Sequence, residues 1–106
     1  KIKRNTMKEY IFTQYLNNIC SHLGTESSDL FVKSKEQRIV DARQLLYYLC
    51  VEKSNMGLTE VMGYVNNQDF HEDQSNILRS VESFKQKVAK DGDLEIIINK
   101  LSDIKK

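Results

Sequence analysis

At 106 residues, 40% of them hydrophobic and 29% charged, the chain has the make-up of one soluble globular domain with a small core, not of a disordered segment. No apolar run approaches the roughly 20 residues that span a bilayer, and the opening KIKRNTMKEY has no apolar signal core, so the expected location is cytoplasmic. The net charge of +1 argues against wholesale nucleic-acid binding, but residues 1–45 carry eight Lys/Arg against five Asp/Glu and residues 46–106 carry eight against ten, so a DNA surface would draw on the front half.

Thr6, with Glu9 three residues on, has capping-box spacing and opens a first helix running to about His22. Tyr10, Ile11, Phe12, Tyr15, Leu16, Ile19, Cys20 and Leu23 form its wide apolar stripe, and Gly24 ends it. Ser27 or Ser28 caps a short helical turn through Asp29, Leu30 and Phe31. Val32 to Gln37 is a polar, basic loop carrying Lys33 and Lys35, suited to lie on phosphates or reach a minor groove. The stretch RIVDARQLLYYLC, Arg38 to Cys50, sits in a long central helix expected from about Glu36 to Lys53. Ile39, Ala42, Leu45, Leu46, Leu49 and Cys50 recur on one of its faces, with Arg38, Asp41, Arg43 and Gln44 at or near the other.

Ser54, Asn55, Met56 and Gly57 break that helix. Leu58 to Val65 reads as a short helix with Leu58, Val61, Met62 and Val65 inward, and Asn66 to Asp69 is the next polar break. A longer helix starts near Glu72 or Asp73 and turns Ile77, Leu78, Val81, Phe84 and Val88 inward. Asp91 and Gly92 turn the chain, and Asp93 caps a final helix that buries Leu94, Ile97, Ile98, Leu101 and Ile104. The expectation is an all-α single domain over residues 1–106, with about six helices and no internal repeat.

Nothing in the chain points to catalysis. His22 and His71 lie far apart, no nucleophile elbow or glycine-rich phosphate loop occurs, and the carboxylates are scattered over polar faces. No catalytic residue, metal site or cofactor is expected. Cys20 and Cys50 each fall inside an apolar stripe and read as buried free thiols. The informative pattern is a helix-turn-helix: a short helix, a turn, and a longer helix whose first turn reads Asp73-Gln74-Ser75-Asn76. Gln and Asn side chains pair bidentately with adenine and Ser donates or accepts, although the same residue types also cap helices.

The run from about Tyr15 to Leu101 resembles the C-terminal DNA-binding domain of the bacterial replication initiator DnaA. LFVKSKEQRIVDARQLLYYLC resembles that family's basic loop and long helix, "ARQ" before an aliphatic–aromatic–Leu helix being the most specific part. YLNNICSHLGTESSDLF resembles the lead-in helices, and GLTEVMGYV the first helix of the helix-turn-helix. The resemblance implies a TrpR-like helical fold with double-stranded DNA as partner, in replication initiation or its regulation, alongside other replication or regulatory proteins. It departs from the family at the signature GRDHTTV. A gap-free register sets Asp69-Phe70-His71-Glu72 there but puts Asp73 and Ser80 at apolar helix positions; about four extra turn residues instead align Asp73-Gln74-Ser75-Asn76-Ile77 with it. On that register Lys33, Lys35, Arg38 and Arg43 hold phosphate or enter the minor groove, while Gln74, Ser75, Asn76 and Arg79 face the major groove. Lys35 matches the family's minor-groove arginine and Arg43 the arginine of "ARQ". These departures, and the absence of DnaA's nucleotide-binding module from these residues, fit a divergent phage or plasmid protein. The alternative is a non-catalytic interaction or structural protein that keeps the fold without reading DNA, favoured by the low net charge and by acidic Glu72 and Asp73.

Overall fold

The computed structural model describes residues 7–33 and 36–103, and Thr6, Lys35 and Ile104 lie outside them. Among the described residues the chain is all-helical: α1 (Met7–Leu23), α2 (Ser27–Leu30), α3 (Gln37–Tyr48) continued by a π-helical turn (Leu49–Lys53), α4 (Leu58–Asn66), α5 (Gln74–Lys90) and α6 (Gly92–Leu101). The expected count and order of helices are therefore observed, with the central helix carried to Lys53 by a widened turn in place of regular α-helix.

The core is the sum of the apolar stripes. Ile11, Phe12, Tyr15, Leu16 and Ile19 from α1 meet Ile39, Ala42, Leu46 and Tyr47 from α3, Val61 and Val65 from α4, and Ile77, Val81 and Phe84 from α5. α3 and α5 form the most extensive pairing. Tyr48 packs on Phe84 with ring centroids 5.1 Å apart, and Lys87 bridges to Asp41 and Gln44 at 3.0 Å each. Cys20 and Cys50 are buried free thiols.

Helix ends follow local chemistry, with small differences from expectation. Gly24, at φ +69°, closes α1 in a left-handed cap: Thr25 N–H bonds Cys20 C=O (2.9 Å) and Gly24 N–H bonds Ser21 C=O (3.4 Å). α2 is capped from Glu26, not from Ser27 or Ser28. Both serines lie inside the helix, because the Asp29 carboxylate takes the Glu26 N–H (3.2 Å) and the Thr25 hydroxyl (2.7 Å) and so starts it one residue earlier. The Thr25 bond is the larger of these two influences holding the Asp29 carboxyl below its ordinary pKa. Asp91, not Asp93, caps α6, since it is the Asp91 carboxylate that accepts the Asp93 N–H at 3.0 Å. Leu78 is exposed, lying at the edge of the α5 stripe where Ile77 and Val81 already fill the inward face.

Candidate nucleic-acid interface

α4 and α5 are the two helices expected to make a helix-turn-helix, and each is fixed at its start. The Glu60 carboxylate returns to the Gly57 N–H (2.9 Å) and pairs with Lys8 of α1 (3.2 Å), which ties the first turn of α4 to the bundle. The backbone bond, with the Lys8 hydrogen bond next, holds the Glu60 carboxyl below its ordinary pKa. The turn leaves α4 through Gln68 N–H to Val65 C=O (2.9 Å) and Asp69 N–H to Asn66 C=O (3.1 Å), with Asp69 at φ +62°, a region Asp tolerates better than most residues. α5 begins at Gln74, and Asp73 caps it by accepting the Asn76 N–H at 2.8 Å. This start puts Ile77 and Phe84 in the core, at 0% and 4% exposure.

Beneath the turn lies a buried carboxylate. Glu72 is 6% exposed. Its Oε2 accepts the Tyr47 hydroxyl of α3 (2.7 Å), and its Oε1 accepts the Asn76 Nδ2 (2.7 Å) and, at 3.3 Å, the Asp73 N–H. Its own N–H donates to the Asn66 Oδ1 (3.0 Å). One residue thereby joins the end of α4 through its backbone N–H and, through its side chain, the start of α5 and the last turn of α3. Burial first, and the bond to Glu72 second, push the Tyr47 hydroxyl far above its ordinary pKa. Of the acidic pair that counted against DNA in the sequence, Glu72 is buried in internal hydrogen bonds, while Asp73 caps α5 and stays exposed.

The basic loop is brought against this turn by Arg43. Its guanidinium donates to the Leu30 (2.6 Å) and Val32 (3.1 Å) carbonyls and lies 4.9 Å over the ring of Phe70, which itself packs on Phe31 at 6.0 Å. Arg43 turns inward to hold the loop, while Lys33, the next residue along, is exposed. Lys35 is outside the described residues.

The first turns of α5 carry the remaining expected readers. Gln74, Ser75, Asn76 and Arg79 are all exposed; Ser75 and Arg79 stand opposite Ile77, Val81 and Phe84, whereas Gln74, three residues before Ile77, lies toward α4 and Asn76 to one side. Gln74 Nε2 also donates to the Thr59 Oγ1 of α4 at 2.9 Å, bracing the two helices. Arg38 is exposed but is not beside them. It pairs loosely with Glu36 (3.5 Å) and lines an apolar cavity of about 390 Å³ with Lys87, Leu94 and Ile97. Twelve residues of α5 separate Ser75 from Lys87, roughly 18 Å along the helix. Leu78, between Asn76 and Arg79, is a surface residue of this face that periodicity assigned to the core; its place at the stripe's edge was the only signal. The Tyr47–Glu72 pair has no sequence signal, since the two lie 25 residues apart.

No family model matches the chain and no solved structure matches it. The chain is similar to the chromosomal replication initiator protein DnaA of Bacteroides fragilis, 28% identical over 69 residues, which cover 65% of this chain and 14% of that protein. It is also similar to DnaA of Bacteroides thetaiotaomicron, 20% identical over 105 residues, covering 99% of this chain and 22% of that protein. The chain therefore spans less than a quarter of the length of these curated relatives, and what is similar is a DnaA-related domain.

Proposed function

We propose that the chain is a non-catalytic module that binds double-stranded DNA through α4 and α5 and the basic loop, in replication initiation or its regulation. It corresponds to the C-terminal helix-turn-helix part of DnaA with an altered base preference, as in a phage- or plasmid-borne relative. The observation that carries the reading is the junction at Arg43 and Phe70, where the loop leading to Lys33 and the turn leading to Ser75 meet. Two elements far apart in sequence thus offer a cation for phosphate and a polar helix start for base edges. Lys33 and Lys35 act on phosphates or in the minor groove, and Arg43 acts through the loop it holds. Gln74, Ser75, Asn76 and Arg79 face the major groove, with exposed Leu78 positioned to meet a thymine methyl. Arg38, which lines a cavity with Lys87 near the far end of α5, reaches backbone phosphate away from the read bases.

The competing reading, a partner-binding protein without DNA affinity, draws on the net charge of +1. A mobility-shift titration on random duplex at 50 and 200 mM salt separates the two. Salt-dependent binding supports the module; absence of binding at the lower salt overturns it in favour of the partner-binding protein.

A further inference from the structure

We infer that His71 is a proton-dependent phosphate contact, so that affinity for duplex rises as pH falls. The inference rests on the DNA-binding reading above and adds to it a residue which that reading leaves out.

Residues 70–73 carry the chain from the turn into α5 without regular secondary structure. Their side chains alternate as in an extended segment. Phe70 is half-buried, packed on Phe31 and under the Arg43 guanidinium. Glu72 is buried on the Tyr47 hydroxyl, and its N–H is held by the Asn66 Oδ1. His71, between these two anchored residues, is exposed, as is Asp73, whose backbone is extended at φ −125° and ψ 166°. The imidazole therefore projects from a braced piece of chain. On one side is the loop that leads to Lys33, joined to Phe70 through Arg43; on the other is the start of α5 at Gln74 and Ser75. His71 thus lies in the middle of the proposed surface.

Histidine is the side chain that changes charge between pH 5 and 8, and an imidazolium donates from both ring nitrogens. The charged and titratable groups around it are Asp69 and Asp73 of the same segment, Glu72 beneath it on the Tyr47 hydroxyl, and Arg43 and Lys33 on the loop side. A duplex phosphate brought to this point stabilises the charged form of the ring, so protonation and binding favour each other. The sign follows: the contact is fullest at the acidic end of the range and is lost as pH rises. Because a phosphate contact positions without specifying, base preference is unaffected.

Dissociation constants for random duplex are measured at about pH 5.5 and about pH 8, the span over which an imidazole changes charge. Each is taken over a series of salt concentrations, for the wild type, His71→Gln, His71→Lys and His22→Gln. Both histidines of the chain are exposed, and His22 lies at the end of α1. In the wild type and His22→Gln, affinity at the lower pH should be roughly three- to tenfold higher and the magnitude of the salt slope larger by roughly one, as one added phosphate contact gives. His71→Gln should bind at both pH values as the wild type does at the higher one, with a single slope. His71→Lys should give the tighter binding and steeper slope at both, since its ammonium keeps its charge throughout.

A wild-type affinity that is the same at the two pH values overturns the assignment and leaves DNA binding standing. So does a pH effect that survives His71→Gln, disappears in His22→Gln or leaves the salt slope unchanged, and so does a His71→Lys variant that binds no tighter than His71→Gln. A wild type that binds no duplex at either pH at low salt overturns both readings.

Discussion

Arg43 offers the sharpest perturbation, because the resemblance makes it a DNA contact and the structure gives it internal partners. A buried hydrogen bond from a charged donor contributes about 1.5–3 kcal/mol. Arg43 is half-buried and bonds two carbonyls, so values at or below the low end apply. Its position over Phe70 adds about 0.5–1 kcal/mol. Arg43→Ala should therefore cost about 2–3 kcal/mol. Arg43→Lys keeps the charge but loses the planar guanidinium that reaches both carbonyls, and should cost about 1–1.5 kcal/mol. In urea denaturation, where a small domain loses about 1–3 kcal/mol per molar, the Lys variant's midpoint should fall by roughly 0.5–1 M. Its affinity for random duplex should drop a few-fold as the loop loosens, with an unchanged salt slope. In Arg43→Ala, an unchanged urea midpoint together with a shallower salt slope would refute this reasoning, since that is how the loss of a phosphate contact behaves.

Lys33→Ala and Lys35→Ala should each weaken binding to all duplexes alike and lower the magnitude of the salt slope by roughly one, as read from titrations at several salt concentrations; unchanged affinity at low salt removes the loop from the interface. Gln74→Ala should flatten base preference in selection on randomised duplex with little loss of low-salt binding, whereas His71→Ala, which the gap-free register makes the reader, should leave preference intact. Cys20 and Cys50 should react with a thiol reagent only after denaturation, one equivalent each; a lack of reaction in the denatured, unreduced protein contradicts the free thiols of the structure. Stability should fall at high pH. Burial raises the Cys50 thiol from its ordinary 9.0 and the Tyr47 hydroxyl from its ordinary 10.0, so the folded chain holds protons that the unfolded chain releases. Their contribution is fully present below about pH 9 and lost as pH rises, each such proton steepening the slope by about 1.4 kcal/mol per pH unit. Urea midpoints measured from pH 8 to 11 should decline, less steeply in Cys50→Ala, and a flat profile contradicts the burial argument.

The helices were legible because their signals are local. The three-and-four spacing of Ile39, Ala42, Leu46 and Leu49 places the central helix, and Gly24 and the 54–57 break mark ends that the structure keeps. The caps at Glu26 and Asp91 were displaced by one or two residues because Asp29 and Asp91 compete for the same backbone N–H groups as their neighbours, and composition does not say which carboxylate wins. Ser75 and Arg79 were legible as a solvent-facing pair because they are four residues apart, opposite Ile77 and Val81. What periodicity could not supply was long-range: Tyr47 reaching Glu72, Arg43 bridging to Leu30, Val32 and Phe70, and the position of Arg38 against α6 all depend on how helices cross. A buried glutamate in particular reads as a surface acid until its donors are seen.

The central claim is that the start of α5 and the loop beside it form one DNA-facing surface. Amide and side-chain NMR shifts followed while random duplex is titrated in at low salt test it most directly. The account predicts that the largest changes fall on Lys33, Ser75, Asn76 and Arg79, with Asn99 on α6 and Asn17 on α1 unmoved. Changes centred on α6, or no changes at saturating duplex, would contradict it.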